Sequence, residues 1–99
     1  MMLQKNKPIR LSSKGVKILN DAIFARDDDK CILCHAWVNN QEKFHHAKKN
    51  GLKSDVIEEG VVLCMDCHKK MHDTGETKNI KHKIIRYLSG LYPTYWGVD

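Results

Sequence analysis

Cysteines 31, 34, 64 and 67 fall into two tight pairs, Cys31-Ile-Leu-Cys34 and Cys64-Met-Asp-Cys67, and account for all four in the chain. Each pair offers two thiolates three positions apart, half of a tetrahedral site. Two such pairs complete the four sulfurs of a structural zinc site. The rival chemistry is a redox pair or two disulfides, and two matched pairs with nothing left over favour zinc. His68 directly follows the second pair and His72 lies four positions on, so on a helix their imidazoles project from one face. Two imidazoles at that spacing can hold one metal ion and leave other coordination positions open. His45, upstream, is the natural third ligand. His46 is its neighbour, and on a strand the two point to opposite sides, so one can bind metal while the other does not. Both could instead be structural, one under the zinc lobe and one in solvent. Phosphodiester hydrolysis would use this set. It needs a Lewis acid at the phosphate and a base for water, and an imidazole with its ordinary pKa near 6.5 can accept that proton at neutral pH.

The elements that must position these groups follow from local pattern. Residues 1–10 read as a flexible basic arm containing Pro8. Ser12 or Ser13 caps a helix to about Arg26, with Ile18, Leu19, Ala22, Ile23 and Ala25 as its apolar face. The acidic triplet Asp27 to Asp29 ends it and leads into the first cysteine knuckle. Ala36-Trp37-Val38 and Phe44 to Ala47 are expected to pair as a hairpin across Asn39-Asn40, with residues 48–53 a loop. Residues 56–63 are strand-like. From Cys64 the pattern is helical, with Cys67 and Met71 on one face and the two histidines on another, and Thr74-Gly75 stops it. A last helix from about Thr77 to Ser89 carries Ile80, Ile84, Tyr87, Leu88 and Leu91 at helical spacing. Gly90 and Pro93 end it, and Tyr92, Tyr95 and Trp96 lap back onto the core. Trp37, Phe44, Tyr87 and Trp96 are expected in the core, and His35 and His82 on the surface.

With 99 residues the chain makes one small domain with a thin core, the size at which a metal often supplies stability. Hydrophobic residues at 41% and charged residues at 29% are ordinary for a soluble protein. Apolar runs are too short to cross a bilayer, and the first residues lack the hydrophobic core of a signal peptide. A cytosolic location and no membrane partner are expected, and there paired cysteines favour zinc. The formal charge of +5 is unevenly spread, with basic ends and an acidic middle, which suits a polyanion partner. Lys48, Lys49, Lys69 and Lys70 flank the histidines as candidate phosphate contacts.

The run Cys-x2-Cys, then Phe44-His45-His46-Ala47, then Gly60-Val61-Val62-Leu63-Cys64-x2-Cys67-His68-x3-His72 resembles the HNH (His-Asn-His) nuclease family in its zinc-stapled form. The likeness covers about residues 14–72. It implies a small α+β fold with a ββα-metal (His-Me finger) core, a four-cysteine structural zinc and flanking N- and C-terminal helices. It further implies that the helix lies in or near the DNA minor groove with the ion facing the phosphate. Carried over by position, His45, His68 and His72 would hold one catalytic divalent ion (Mg2+, Mn2+, Ni2+ or Zn2+), and His46 would be the general base. The family's middle asparagine, which braces the loop carrying the base, is replaced here by Glu59. Glu59 therefore joins His46 as a catalytic position, either as a brace that accepts but cannot donate when ionised, or in touch with the metal. Asn50 is a second candidate for the bracing.

The expected activity is metal-dependent DNA endonuclease, nicking with low intrinsic sequence specificity, and RNA stays open as a target. The small size is similar to that of phage or mobile-element nucleases, which suggests a larger complex of that kind as partner. Two rivals share the scaffold: a zinc-stabilised module that binds nucleic acid without cutting it, and an adaptor that docks its helices on a larger machine.

Overall fold

The computed structural model describes residues 8–73 and 75–97. Helix α1, Ser13–Arg26, starts where Ser12 Oγ accepts the Gly15 N–H at 3.2 Å, the N-cap arrangement the sequence calls for. Its packing face is rotated from the expected one. Asn20, Ile23 and Phe24 are buried with Val16 and Leu19 against them, whereas Ile18 is 63% exposed. The polar Asn20 belongs on that face because it is fully bonded. Its amide nitrogen donates to Asn40 O (3.2 Å) and Glu42 O (3.0 Å), and its oxygen accepts the Phe44 N–H at 2.8 Å. One buried amide thus pins the segment that enters the sheet.

The sheet itself is minimal. Strand β1, His45–His46, pairs antiparallel with β2, Gly60–Val61, in the register His45 to Val61 and His46 to Gly60. A 3-10 turn over Ile57–Glu59 leads into β2. The hairpin expected between residues 36–38 and 44–47 does not form. Trp37 makes an isolated bridge with Lys30, because the knuckle folds 36–38 back on itself through Cys31 N to Ala36 O (2.9 Å) and Val38 N to Asp29 O (2.8 Å). The strand that wins β1 is the one whose Val61, with Val62 directly after it, is wholly buried. Gly60 is required there by close approach: a Cβ would meet Ile23 Cδ1 at 2.4 Å and Phe44 Cδ2 at 2.8 Å.

Helix α2, Met65–Asp73, follows, then α3, Thr77–Leu91, and α4, Pro93–Trp96. The α3 helix runs through Gly90 to Leu91, and Pro93 opens α4 rather than ending a helix. Gly75, in left-handed backbone with φ +76°, turns the chain between α2 and α3, while Thr74, expected to share that stop, lies outside the described residues. Two apolar clusters result. One joins α1, the knuckle and Val62. The other packs Ala47, Val61 and Met71 under Ile80, Ile84 and Leu88 of α3. The described residues therefore form a small α+β structure of four helices and a two-stranded sheet.

Between the clusters sits a charged hub. Arg26 donates to Asp27 through Nε (2.7 Å) and Nη2 (2.9 Å), and to the carbonyls of Ile57 (2.9 Å) and Gly60 (2.6 Å). Asp27 in turn accepts the Val62 N–H at 3.0 Å and the Tyr87 hydroxyl. Burial disfavours the Arg26 charge, but its bonds to Asp27 and Tyr92 outweigh that and raise its pKa further. Of the basic arm, residues 1–7 lie outside the described residues. Ile9 and Leu11 are not loose: Ile9 N donates to Ser54 Oγ (3.0 Å), Leu11 N to Asp55 Oδ2 (2.9 Å), and Asp55 N to Ile9 O (2.7 Å).

Candidate metal centre and histidine cleft

The four cysteines come together from the knuckle and the start of α2. Cys34 Sγ lies 3.6 Å from Cys64 Sγ, and all four sulfurs fall within 4.8 Å of one another. Thiolates about 2.3 Å from a tetrahedral zinc would stand roughly 3.8 Å apart, so the cluster fits such an ion. No disulfide joins them. Burial opposes ionisation of Cys31, yet the N–H groups of Cys34, Cys64 and Leu33 prevail and bring its thiol down to about 7. Burial and the neighbouring sulfurs push Cys67 up instead. Four crowded thiols resist losing all their protons unless a cation balances the charge. The cluster could hold a metal ion.

Beside it, strand and helix bring the histidines together. The His45 ring lies 5.5 Å from that of His68, which lies 4.6 Å from that of His72, each pair edge to face. The sequence places the last two one turn apart on α2, and the β1–β2 register brings the first alongside. Burial first, and then His68, His46, His72 and Lys48, push the His45 pKa down to about 4, so its ring is neutral with a lone pair at pH 7. A neutral imidazole in contact with another can offer its lone pair to a cation. Among the described residues the four cysteines are the only group whose ligand atoms gather closely enough to hold one ion, and His45, His68 and His72 do not form such a group. All three rings line a cleft of about 680 Å³.

His46 turns the other way, as alternation on a strand requires. It is 7% exposed, its ring packs 4.6 Å from Phe44, and Nε2 lies 2.9 Å from Asp55 Oδ1. Burial would raise the Asp55 pKa, but His46, the Leu11 N–H and Arg10 at 3.6 Å together lower it. With Nε2–H donating to that carboxylate, Nδ1 is left as the acceptor nitrogen. His46 also lines the cleft. Asp55 was not among the residues singled out from sequence. Its signal was faint: an acid nine positions after a histidine, across a loop with Gly51 at φ +80°.

Glu59 stands apart from the histidine row. It is 2% exposed, and its carboxylate accepts the Lys49 N–H at 3.1 Å and the Tyr95 hydroxyl, while its carbonyl accepts the Ala47 N–H at 2.7 Å. These bonds hold the chain just after β1, where Lys48 adopts left-handed backbone with φ +53°. Such a conformation costs a non-glycine residue about 1–2 kcal/mol, and the Glu59 bonds offset it. Glu59 acts as a brace through acceptance alone, with both carboxylate oxygens engaged. Asn50, the other candidate, is exposed.

The four candidate phosphate lysines divide. Lys48 lines the cleft, whereas the Lys49 ammonium lies 5.5 Å from the Tyr95 ring centre and 6.0 Å from that of Trp96. Lys69 and Lys70 are exposed on α2. Lys43 and Lys53 also line the cleft, although neither stands beside a histidine in sequence. Trp37, expected in the core, is 69% exposed on the cleft wall. Phe44 is buried as expected, and Tyr87 and Trp96 are half-buried. No helix among the described residues is long and apolar enough to cross a membrane. Comparison with known protein families, curated proteins and solved structures finds no match for this chain.

Proposed function

We propose that this chain is an HNH-type endonuclease that hydrolyses DNA phosphodiester bonds on a ββα-metal core stapled by zinc. The observation that carries this reading is the convergence of His45, His68 and His72 in one row of ring contacts, in a cleft that His46 also lines. Strand β1 supplies His45 and His46 and helix α2 supplies His68 and His72, and the cysteine cluster sits at the start of that helix. On this reading His45, His68 and His72 would hold a divalent ion, which would supply Lewis-acid chemistry at the scissile phosphate. The remaining work belongs to side chains of the protein. Asp55 holds His46 in one tautomer and orientation, so that Nδ1 can take a proton from the attacking water. Lys43, Lys48 and Lys53 attract the phosphate backbone along the cleft. Glu59 keeps the His45–His46 strand in register from beneath.

A second reading has its own support. His46 is nearly enclosed and tied to a carboxylate, as a structural histidine would be. On that reading the chain binds nucleic acid through the same cleft and does not cut it. Supercoiled plasmid incubated with the protein and a series of divalent metals separates the two, with His46→Ala, verified to retain zinc, as control. Metal-dependent nicking that the variant loses supports the nuclease. A zinc-loaded protein that shifts DNA but nicks with no metal selects the binding module.

A further inference from the structure

Trp37 sits on the cleft wall with no part in the hydrolytic scheme, and its setting is unusual. Among the exposed large apolar side chains it is the most open, at 69%, yet its backbone is paired. It bridges Lys30, and hydrogen bonds on both sides, Cys31 N to Ala36 O and Val38 N to Asp29 O, lock it to the knuckle. The next residue, Val38, is buried in the core. A rigid backbone that drives an indole into water is a poor choice for stability alone, since burying an aromatic ring is among the largest gains a core offers. Lining the same cleft are three lysines, Lys43, Lys48 and Lys53, against one acid, Glu42. Met65, itself exposed, extends the apolar wall.

We infer that Trp37 is a stacking platform for an unpaired nucleobase, so that the cleft takes single-stranded or locally opened nucleic acid in preference to intact duplex. The lysines attract phosphates of any polyanion, but an indole face distinguishes a strand whose bases are available from one whose bases are stacked in a helix. Each base–aromatic stack is worth on the order of tenfold in affinity, and every base has a face to offer, so the site is tolerant of sequence. The inference rests on the nucleic-acid part of the reading above and not on catalysis. It names the substrate class as strand ends, loops, mismatches or junctions.

The test uses the full zinc-loaded chain and fluorescence anisotropy with three labelled probes of equal length: a single strand, an abasic strand with the same phosphates, and a duplex. The wild type binds the base-bearing strand about tenfold more tightly than the abasic strand, and more tightly than the duplex. Trp37→Ala loses that tenfold preference while its abasic affinity stays unchanged, and Trp37→Phe keeps most of it. Because the side chain is exposed, Trp37→Ala retains its zinc and fold. Equal binding of base-bearing and abasic strands by the wild type overturns the inference, as does a preference that survives Trp37→Ala. Plasmid nicking run alongside keeps the readings apart. Nicking without base-dependent binding sinks the stacking site alone, and base-dependent binding without nicking sinks only the nuclease. Absence of any binding removes both.

Discussion

Glu59→Ala deletes a carboxylate that is 2% exposed and leaves two donors facing it, the Lys49 amide and the Tyr95 hydroxyl. A buried donor stripped of its partner costs about 1–3 kcal/mol, and the Tyr95 hydroxyl, which water reaches, about 1 kcal/mol or less, so the pair costs roughly 1–4 kcal/mol before any cavity is counted. A domain of this size has about 5–15 kcal/mol in total, so the variant gives up a large share. Glu59→Gln keeps an amide oxygen for one donor and turns its NH2 toward the other. The Tyr95 oxygen can accept that bond, and the loss shrinks to about 1–2 kcal/mol, the difference between charge-assisted and neutral bonds. Tyr95→Phe removes one bond from a side chain that water already reaches, for about 1 kcal/mol or less. Urea unfolding of the zinc-loaded variants reads the order directly: Ala lowest, Gln intermediate, Phe near wild type. Plasmid nicking is expected to fall in the same order, since the brace sets where β1 ends. An Ala variant within about half a kcal/mol of wild type refutes the reasoning, and so does a Gln variant as damaged as Ala.

Removing the metal with a chelator is expected to unfold the chain, because a structural zinc contributes about 10–16 kcal/mol and so matches or exceeds the whole net stability; a cooperative far-UV CD melt surviving chelation contradicts this. Asp55→Asn is expected to cut nicking by on the order of 100-fold, as it loosens the tautomer and orientation of His46 while Asn still accepts the Leu11 N–H; unchanged single-turnover rates would show that the pair is only structural. The His45 pKa, lowered to about 4 from 6.5, means the unfolded chain takes up this proton first. Stability is therefore lost as pH falls from about 6.5 toward 4, by on the order of 1–3 kcal/mol, and His45→Gln flattens that slope in urea titrations at fixed zinc. Gly60→Ala forces a methyl group against Ile23 Cδ1 and Phe44 and is expected to cost about 1–3 kcal/mol, part of which Ile23→Val restores by removing the clashing atom.

Much of the site was readable in the sequence because its geometry is local. Cys-x2-Cys pairs and His68-x3-His72 need only a turn and a helix to bring their side chains together, and the four sulfurs cluster and the two rings touch where the spacing puts them. The α1 cap at Ser12 and the apolar stripe of Ile80, Ile84 and Leu88 are equally short-range signals. What sequence periodicity missed depends on long-range choice. Residues 36–38 and 60–63 are both strand-like, and the winner as partner for β1 was decided by burial of Val61 and Val62 under two clusters at once. The α1 face was misjudged because a hydrophobicity count has no way to credit Asn20, whose burial depends on partners 20 to 24 residues away. Trp37 was assigned to the core on residue type alone, yet the knuckle that carries it turns the side chain outward.

The same contrast explains why the C-terminal helices belong to the site and not merely beside it. Strands of two residues each cannot hold a register by backbone bonds alone, and an isolated pair of ordinary length is itself marginal in water. Here the register is enforced by side chains from distant segments. Tyr87 on α3 bonds Asp27, whose other oxygen takes the Val62 N–H, and Tyr95 on α4 bonds Glu59, whose backbone carbonyl takes the Ala47 N–H. Trp96 adds a bond from its indole N–H to Glu58 O at 3.0 Å. Each strand is thus gripped at its end by a carboxylate residue, and each carboxylate is gripped by a tyrosine from the last twenty or so residues. A metal ion on the four cysteines would order the knuckle and the start of α2, but those tyrosines brace the strands that carry His45 and His46. Truncation before Tyr92 would leave the cysteine cluster intact in sequence while freeing the strand that carries His45 and His46. It is therefore expected to retain zinc binding and lose nicking, whereas a truncated protein that still nicks at the wild-type rate would show that the short sheet stands unaided.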